Sequence, residues 1–314
     1  MLKKQLIILF GPTGVGKTDI AEKIASTIPA EIVNMDVGQL YSPLTIGTAK
    51  PDWRLSPIPH HLFDLLELPI NYTVVDYRNQ VLKTVTEILE RGNTPIIVGG
   101  SGFYLHALFF PPVAAQVTSK PERVITEYTW DELYAIDPDR AAAIHKNDSY
   151  RIRRALAIWA STGSKPSHMK APFEPLPFPT TLICLTRERS ELYERINDRV
   201  LAMMKAGWVE EVERLCGTAW EQFLREKKLI GYNELIDYCC HDEGQLPELI
   251  SIIQQRTRAY AKRQLAFWKM LSRKIEHERA RAELASDLRL EQLNLTLMDL
   301  DLYIKQLSLK GINK

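Results

Sequence analysis

No stretch of the 314-residue chain comes near the roughly 18 consecutive apolar residues that a membrane helix needs. Lys3 and Lys4 precede an apolar run at 6–10, but five residues are too few for a signal-peptide core, and Gly11 and Pro12 follow at once. The expected location is therefore the cytoplasm, with no membrane partner. Cysteine is scarce: Cys184, Cys216, Cys239 and Cys240 contain no Cys-x-x-Cys spacing, and adjacent Cys239 and Cys240 cannot easily aim two thiolates at one metal. A disulfide scaffold is excluded, and reduced structural thiols are expected. Excess charge of one sign is also lacking. Forty Lys plus Arg against 39 Asp plus Glu leave +1, so any nucleic-acid partner must be held by a local basic patch. With 45% hydrophobic and 25% charged residues and no internal repeat, the composition is that of a folded chain with one large α/β unit and an insertion.

Residues 5–10 (QLIILF) form an unbroken apolar run, as in a strand buried on both faces of a parallel sheet. After the glycine-rich segment 11–18, Ile20, Ile24 and Ile28 recur every four residues, the spacing of a helix with one buried face. Residues 31–36 (EIVNMD) read as a second strand ending in a carboxylate. Val81, Val85, Ile88 and Leu89 mark a helix closed by Gly92, and residues 94–98 (TPIIV) a third strand. Beyond Phe110 the pattern changes. Helical periodicity at 144–159 without a convincing strand makes 111–178 a helical insertion, ended by four prolines in 172–179. Residues 181–185 (TLICL) resume the core as a buried strand, Leu192, Ile196, Val200 and Met203 give a helix, and further helices are expected from about 224 to the end. The implied organisation is a core of 1–110 and 179–314 around an insertion at 111–178.

The pattern GxxxxGK[ST] is matched by Gly11, Gly16, Lys17 and Thr18 between a buried strand and an amphipathic helix. Loop amides and the positive end of the helix surround a di- or triphosphate, Lys17 neutralises its outer oxygens, and Thr18 can hold magnesium. The loop does not specify the molecule: ATP and an organic diphosphate meet the same donors. Ligands of open α/β sheets sit outside the carboxyl ends of the strands, which directs Asp36 at this pocket, although a turn or capping aspartate reads the same way. Gln39, Tyr41, residues 47–51 (GTAKP) and 59–64 (PHHLFD) stand nearby; His60 and His61 alone read as packed or surface residues.

Together GPTGVGKT, DVGQLY, IGTAKP, PHHLFD, GGSGFY, IHKNDSYRIRRAL, LIGYNEL and AKRQLAFW occur in the order, and nearly the spelling, of the tRNA dimethylallyltransferase (tRNA isopentenyltransferase) family. The chain resembles that family from about Leu6 to Trp268. The resemblance implies a P-loop nucleoside-triphosphate-hydrolase-like parallel sheet with a helical insertion domain. It implies transfer of a dimethylallyl group from dimethylallyl diphosphate to the exocyclic amine of the adenine 3′ to the anticodon, without ATP consumption. Gly11, Pro12, Thr13, Gly14, Val15, Gly16, Lys17 and Thr18 would then hold the diphosphate, with magnesium on Thr18. Asp36 aligns with the family's catalytic base, needed because the adenine amine's lone pair is delocalised into the ring. Arg199 would join Lys17 and Thr18 against the departing diphosphate. Adenine must leave the anticodon stack to react. Asp36, Val37, Gly38, Gln39, Ser101, Lys228 and Tyr232 are then expected at the tRNA, together with Arg151 and Arg154 from a basic stretch.

Basic residues favour that partner. Between Asp137 and Lys170 seven Lys or Arg oppose three acids, and from Leu249 to Ile275 there are seven and no acid. The chain departs from the family at Val37, where serine is usual, at Lys228, where glutamine commonly precedes the IGY motif, and in a shorter stretch between Phe110 and Asp137. A relative prenylating free adenine nucleotides, a small-molecule P-loop kinase and a non-catalytic nucleotide-binding module are the alternatives. A monomer suffices for the implied chemistry.

Overall fold

The computed structural model of the protein describes residues 5–112, 127–169, 171–241, 244–281 and 287–312. Lys3, Lys4, Lys170 and residues 113–126, on which the reading of a shorter insertion largely falls, lie outside them. The chain divides into two compact units, Met1–Phe109 with Pro175–Lys314, and Phe110–Glu174.

The larger unit opens with β1 (Leu6–Phe10), α1 (Lys17–Ala25), β2 (Ala30–Asn34), β3 (His60–His61), α2 (Val74–Glu90), β4 (Thr94–Gly99) and α3 (Gly102–Phe109). In the smaller unit, α4 (Trp130–Ile136), α5 (Pro138–Ala142) and α6 (Ser149–Thr162) close on a core that includes Leu133, Ile152 and Leu156. The larger unit resumes with β5 (Thr180–Thr186), α7 (Arg189–Lys205), α8 (Trp208–Glu213), α9 (Ala219–Lys227), α10 (Tyr232–His241), α11 (Leu246–Arg281), β6 (Leu288–Asn294) and α12 (Leu300–Ile312).

The six strands among the described residues form one parallel sheet in the order β3-β2-β4-β1-β5-β6. Every residue of β1 is buried, which is why LIILF runs apolar without alternation: helices cover both faces of a parallel sheet. Ile20, Ala21 and Ile24 of α1 pack into the cluster that holds Ile7 and Leu9, as their spacing requires. A capping box of Thr73 and Asp76 starts α2, and Asp148 caps α6, whose end is set by Gly163 at φ 68°. No helix among the described residues is long and apolar enough to cross a membrane.

Three readings change. The second strand stops at Asn34, so Asp36 lies two residues past its end rather than inside it. The C-terminal region is not helical throughout: β6 pairs with β5 over seven residues. Arg289, Glu291 and Gln292 give β6 the polar character of an edge strand, which conceals it from a search for apolar runs. Nor are all four thiols reduced. Cys216 and Cys240 form a disulfide with Cα atoms 5.8 Å apart, because α10 packs back against α8; Cys184 and Cys239 are free.

Candidate active site

The register of the sheet builds the site. Phe10 is level with Gly99 and with Cys184, and Asn34 with Val98, so β1, β2, β4 and β5 end at one edge. The chain leaving that edge carries the glycine-rich loop, Asp36, Gly100 with Ser101, and Arg187. This is where α/β sheets place ligands.

Four cations and one amide hold the loop. Lys17 Nζ donates to the carbonyls of Gly11 (3.0 Å) and Pro12 (2.9 Å), Arg195 Nε to Gly14 O (2.9 Å), and Arg187 Nε to Val15 O (2.9 Å). Arg199 reaches Thr13 Oγ1 from α7 at 3.4 Å. Arg195 and Arg199 share a helix face as their four-residue spacing requires, and both reach the loop, Arg199 from a partly buried position and Arg195 from an exposed one. Thr13 N–H is taken by Gln264 Oε1 of α11 at 2.9 Å, while Gln264 Nε2 donates to Gly100 O at 2.8 Å. Gln264 is 5% exposed and stitches the loop to the turn after β4. A Cβ on Gly100 would lie 2.3 Å from Gln264 Nε2, so only glycine permits this approach. Thr18 lies in the first turn of α1, at the positive end of the helix. Burial, then the positive charge of Arg199, brings the Lys17 ammonium down to about 8, against the opposing pull of Asp36 and Cys184.

Asp36 is fixed through its backbone. Asn34, 1% exposed, accepts from Asp36 N–H with its side-chain oxygen (2.8 Å) and donates to the carbonyls of Asp36 (3.1 Å) and Leu62 (2.9 Å). Asp36 Oδ1 accepts from Gly38 N–H at 3.0 Å. Burial raises the Asp36 carboxyl above its ordinary value, and Lys17, the Gly38 N–H and Arg199 oppose it. A carboxylate poised in this way is suited to accept a proton. Val37 lacks the hydroxyl of a serine, but its N–H donates to Ser101 Oγ at 3.2 Å, so Ser101 secures the turn after Asp36. Gln39 follows in a short 3-10 turn, Gly38–Leu40.

The remaining residues assigned to tRNA are dispersed. Arg151 and Arg154 are exposed on α6 of the smaller unit, with Arg151 3.3 Å from Asp148. Lys228 ends α9 at φ 52° and lines a cleft of about 340 Å³ with Asn233, Glu234, Arg256 and Arg263. Tyr232 departs from the expectation: it is 1% exposed, packs edge-on to Trp208 and donates its hydroxyl to Glu211 at 2.8 Å. It offers no surface to a nucleic acid. Sequence pattern does not single out Asn34, Arg187, Glu211 or Gln264, which the structure places in the framework of the site. Gln264 alone had a signal, its place in AKRQLAFW.

No group of three or more His, Cys, Asp or Glu converges as a metal cage among the described residues. The hydroxyl of Thr18 is a single neutral oxygen beside a phosphate-type loop, a donor that fits magnesium arriving on a diphosphate rather than magnesium held by protein alone.

A family model described as IPP transferase matches residues 39–271, a span that begins after the loop and Asp36. The tRNA dimethylallyltransferase 1 of Citrifermentans bemidjiense is 38% identical over 275 residues, covering 85% of this chain and 89% of its own. The tRNA dimethylallyltransferase of Bacillus subtilis is 36% identical over 284 residues, covering 85% and 88%. Among solved structures, a eukaryotic dimethylallyltransferase acting on tRNA superposes with a TM-score of 0.74 at 28% identity, over 99% of this chain and 78% of that one. The tRNA isopentenylpyrophosphate transferase of Bacillus halodurans gives 0.65 at 30% identity, over 98% and 95%.

Proposed function

Because the chain belongs to the IPP transferase family, a family of prenyl-transferring enzymes, we propose that it moves a dimethylallyl group from dimethylallyl diphosphate to the exocyclic amine of the adenosine 3′ to the anticodon of tRNA. The observation that carries this reading is Asp36: a half-buried carboxylate whose charged neighbours are Lys17 and Arg199. It supplies a base beside the cations that a departing diphosphate requires.

Adenine turned out of its stack presents its amine to Asp36, with Gln39 and Ser101 beside it. As the carbon–nitrogen bond forms, Asp36 takes the proton that the nitrogen must lose. The carbon–oxygen bond to diphosphate breaks, and negative charge collects on oxygens faced by Lys17, Arg199 and the N-terminal amides of α1. Thr18 would hold magnesium, which when bound adds positive charge against the same oxygens. Lys17 then exchanges the carbonyls of Gly11 and Pro12 for phosphate oxygens. On the smaller unit, Arg151 and Arg154 supply charge for the RNA backbone, and Lys228 with Arg256 and Arg263 does so on the larger.

The test is mass spectrometry of nucleosides after the protein is incubated with magnesium, dimethylallyl diphosphate and either unmodified tRNA or free AMP and ATP. Prenylated adenosine from tRNA alone is expected. Product from free nucleotide alone would move the enzyme to nucleotide substrates, and ATP hydrolysis without prenylation would make it a kinase-like protein.

A further inference from the structure

Glu211 lies in α8, outside every motif that points to the chemistry, yet it is 3% exposed and its carboxylate is saturated. Oε2 accepts from the N–H groups of Thr45 (2.9 Å) and Ile46 (2.6 Å), and Oε1 from the N–H of Gly47 (3.1 Å) and the hydroxyl of Tyr232 (2.8 Å). A buried carboxylate with four donors is a strong anchor, since charge-assisted hydrogen bonds are roughly twice as strong as neutral ones. What it anchors is a backbone segment. Trp208 closes the other side: a Cβ on Gly47 would lie 2.1 Å from its Nε1.

The anchored segment leads to Gln39. Immediately beyond it, the carbonyls of Thr48 and Ala49 accept from Gln39 Nε2 at 3.1 and 3.3 Å. Ala49 sits at φ 48°, a left-handed conformation that an alanine holds only when its surroundings impose it. Two carbonyls on the amide nitrogen settle which way the side chain points, because the flipped amide would set its oxygen against both of them. Gln39 therefore presents its own oxygen, Oε1, as the atom for a partner. An acceptor there welcomes the exocyclic amine of adenine and repels the carbonyl that inosine or guanine carries at the same ring position.

We propose that Glu211 is a positioning residue for the acceptor base: by fixing the 45–47 backbone it holds Gln39 as a hydrogen-bond acceptor, and so selects a base presenting an amine over one presenting a carbonyl. This rests on the prenyl-transfer reading above. It assigns a selectivity role to a carboxylate that touches neither substrate.

The experiment measures binding of two anticodon stem-loop RNAs, with adenosine or inosine at the target position, to the full-length protein. Dimethylallyl diphosphate binding is measured in parallel. The wild type should prefer the adenosine RNA about tenfold, and Glu211→Gln should reduce that preference to less than about threefold while dimethylallyl diphosphate affinity stays within about twofold. The Glu211→Gln/Gln39→Ala pair should discriminate no worse than Gln39→Ala, since two residues acting through one contact are not additive. An unchanged preference in Glu211→Gln, or additive losses in the pair, overturns the proposal. If Glu211→Gln also loses diphosphate affinity, Tyr232→Phe decides, because it removes one of the four donors: a reduced preference supports the role and a wild-type preference overturns it. Absence of prenyl transfer by the wild type would instead count against the functional reading itself.

Discussion

The edge of the sheet and helix α6 of the smaller unit hold cations in opposite ways. At the edge, Lys17, Arg187 and Arg195 each donate to a fixed loop carbonyl, and Arg199 reaches Thr13. On α6, Arg151, Arg153 and Arg154 are exposed, long side chains that a phosphate backbone can recruit without any rearrangement of the fold. The contrast matches the roles proposed for each. Groups that stabilise charge in a transition state are most effective when preorganised, whereas groups that neutralise a polyanion act through number and reach. Substitutions at the edge should therefore change turnover, and substitutions on α6 should change RNA affinity and its response to salt.

The largest expected effect is at Asp36. Asp36→Asn should lower the rate of the chemical step by about 10²–10⁴-fold with little change in dimethylallyl diphosphate affinity, measured by single-turnover transfer and equilibrium binding. Near-normal turnover would remove Asp36 as the base. Arg199→Ala comes next: losing one preorganised cation should lower the rate by roughly 10²–10³-fold and weaken prenyl diphosphate binding as well. An unchanged rate and affinity would place Arg199 outside the site.

A pH profile sharpens the same contrast. Lys17 is charged below its pKa, so kcat/KM for dimethylallyl diphosphate should fall as pH rises through about 8. As the proposed base, Asp36 would act only when ionised, and burial raises its pKa, so activity should fall as pH drops at a point above the ordinary carboxylate range. Lys17→Arg should move the alkaline limb upward, and an unmoved limb would assign it to another group. The smallest effect is on α6. Arg151→Ala with Arg154→Ala should weaken tRNA binding and reduce the slope of log affinity against log salt by up to about 0.7 for each phosphate that is no longer neutralised. The same slope in the variant would mean that α6 does not face RNA.

Local pattern carried much of this into the sequence. A buried strand, a glycine-rich loop and an amphipathic helix announce themselves within twenty-odd residues, and Asp36 follows from where strands end. What was not legible is long-range. Glu211 is about 165 residues from the backbone it anchors, and Gln264 is 251 residues from Thr13, so nothing in their neighbourhoods reveals what they hold. Tyr232 shows the converse: its place within a recognisable motif points to the substrate, whereas the fold buries it behind Glu211. Strand β6 was concealed for a third reason, its edge position, which leaves polar residues where a central strand would be apolar.

The most direct test follows single-turnover prenyl transfer across a range of tRNA concentrations for Asp36→Asn and for the Arg151→Ala/Arg154→Ala pair, side by side. The account predicts that Asp36→Asn is slow at every concentration yet half-saturates where the wild type does, while the arginine pair regains the wild-type rate once tRNA is in excess. A shifted midpoint with a normal plateau for Asp36→Asn, or a lowered plateau for the arginine pair, would contradict it.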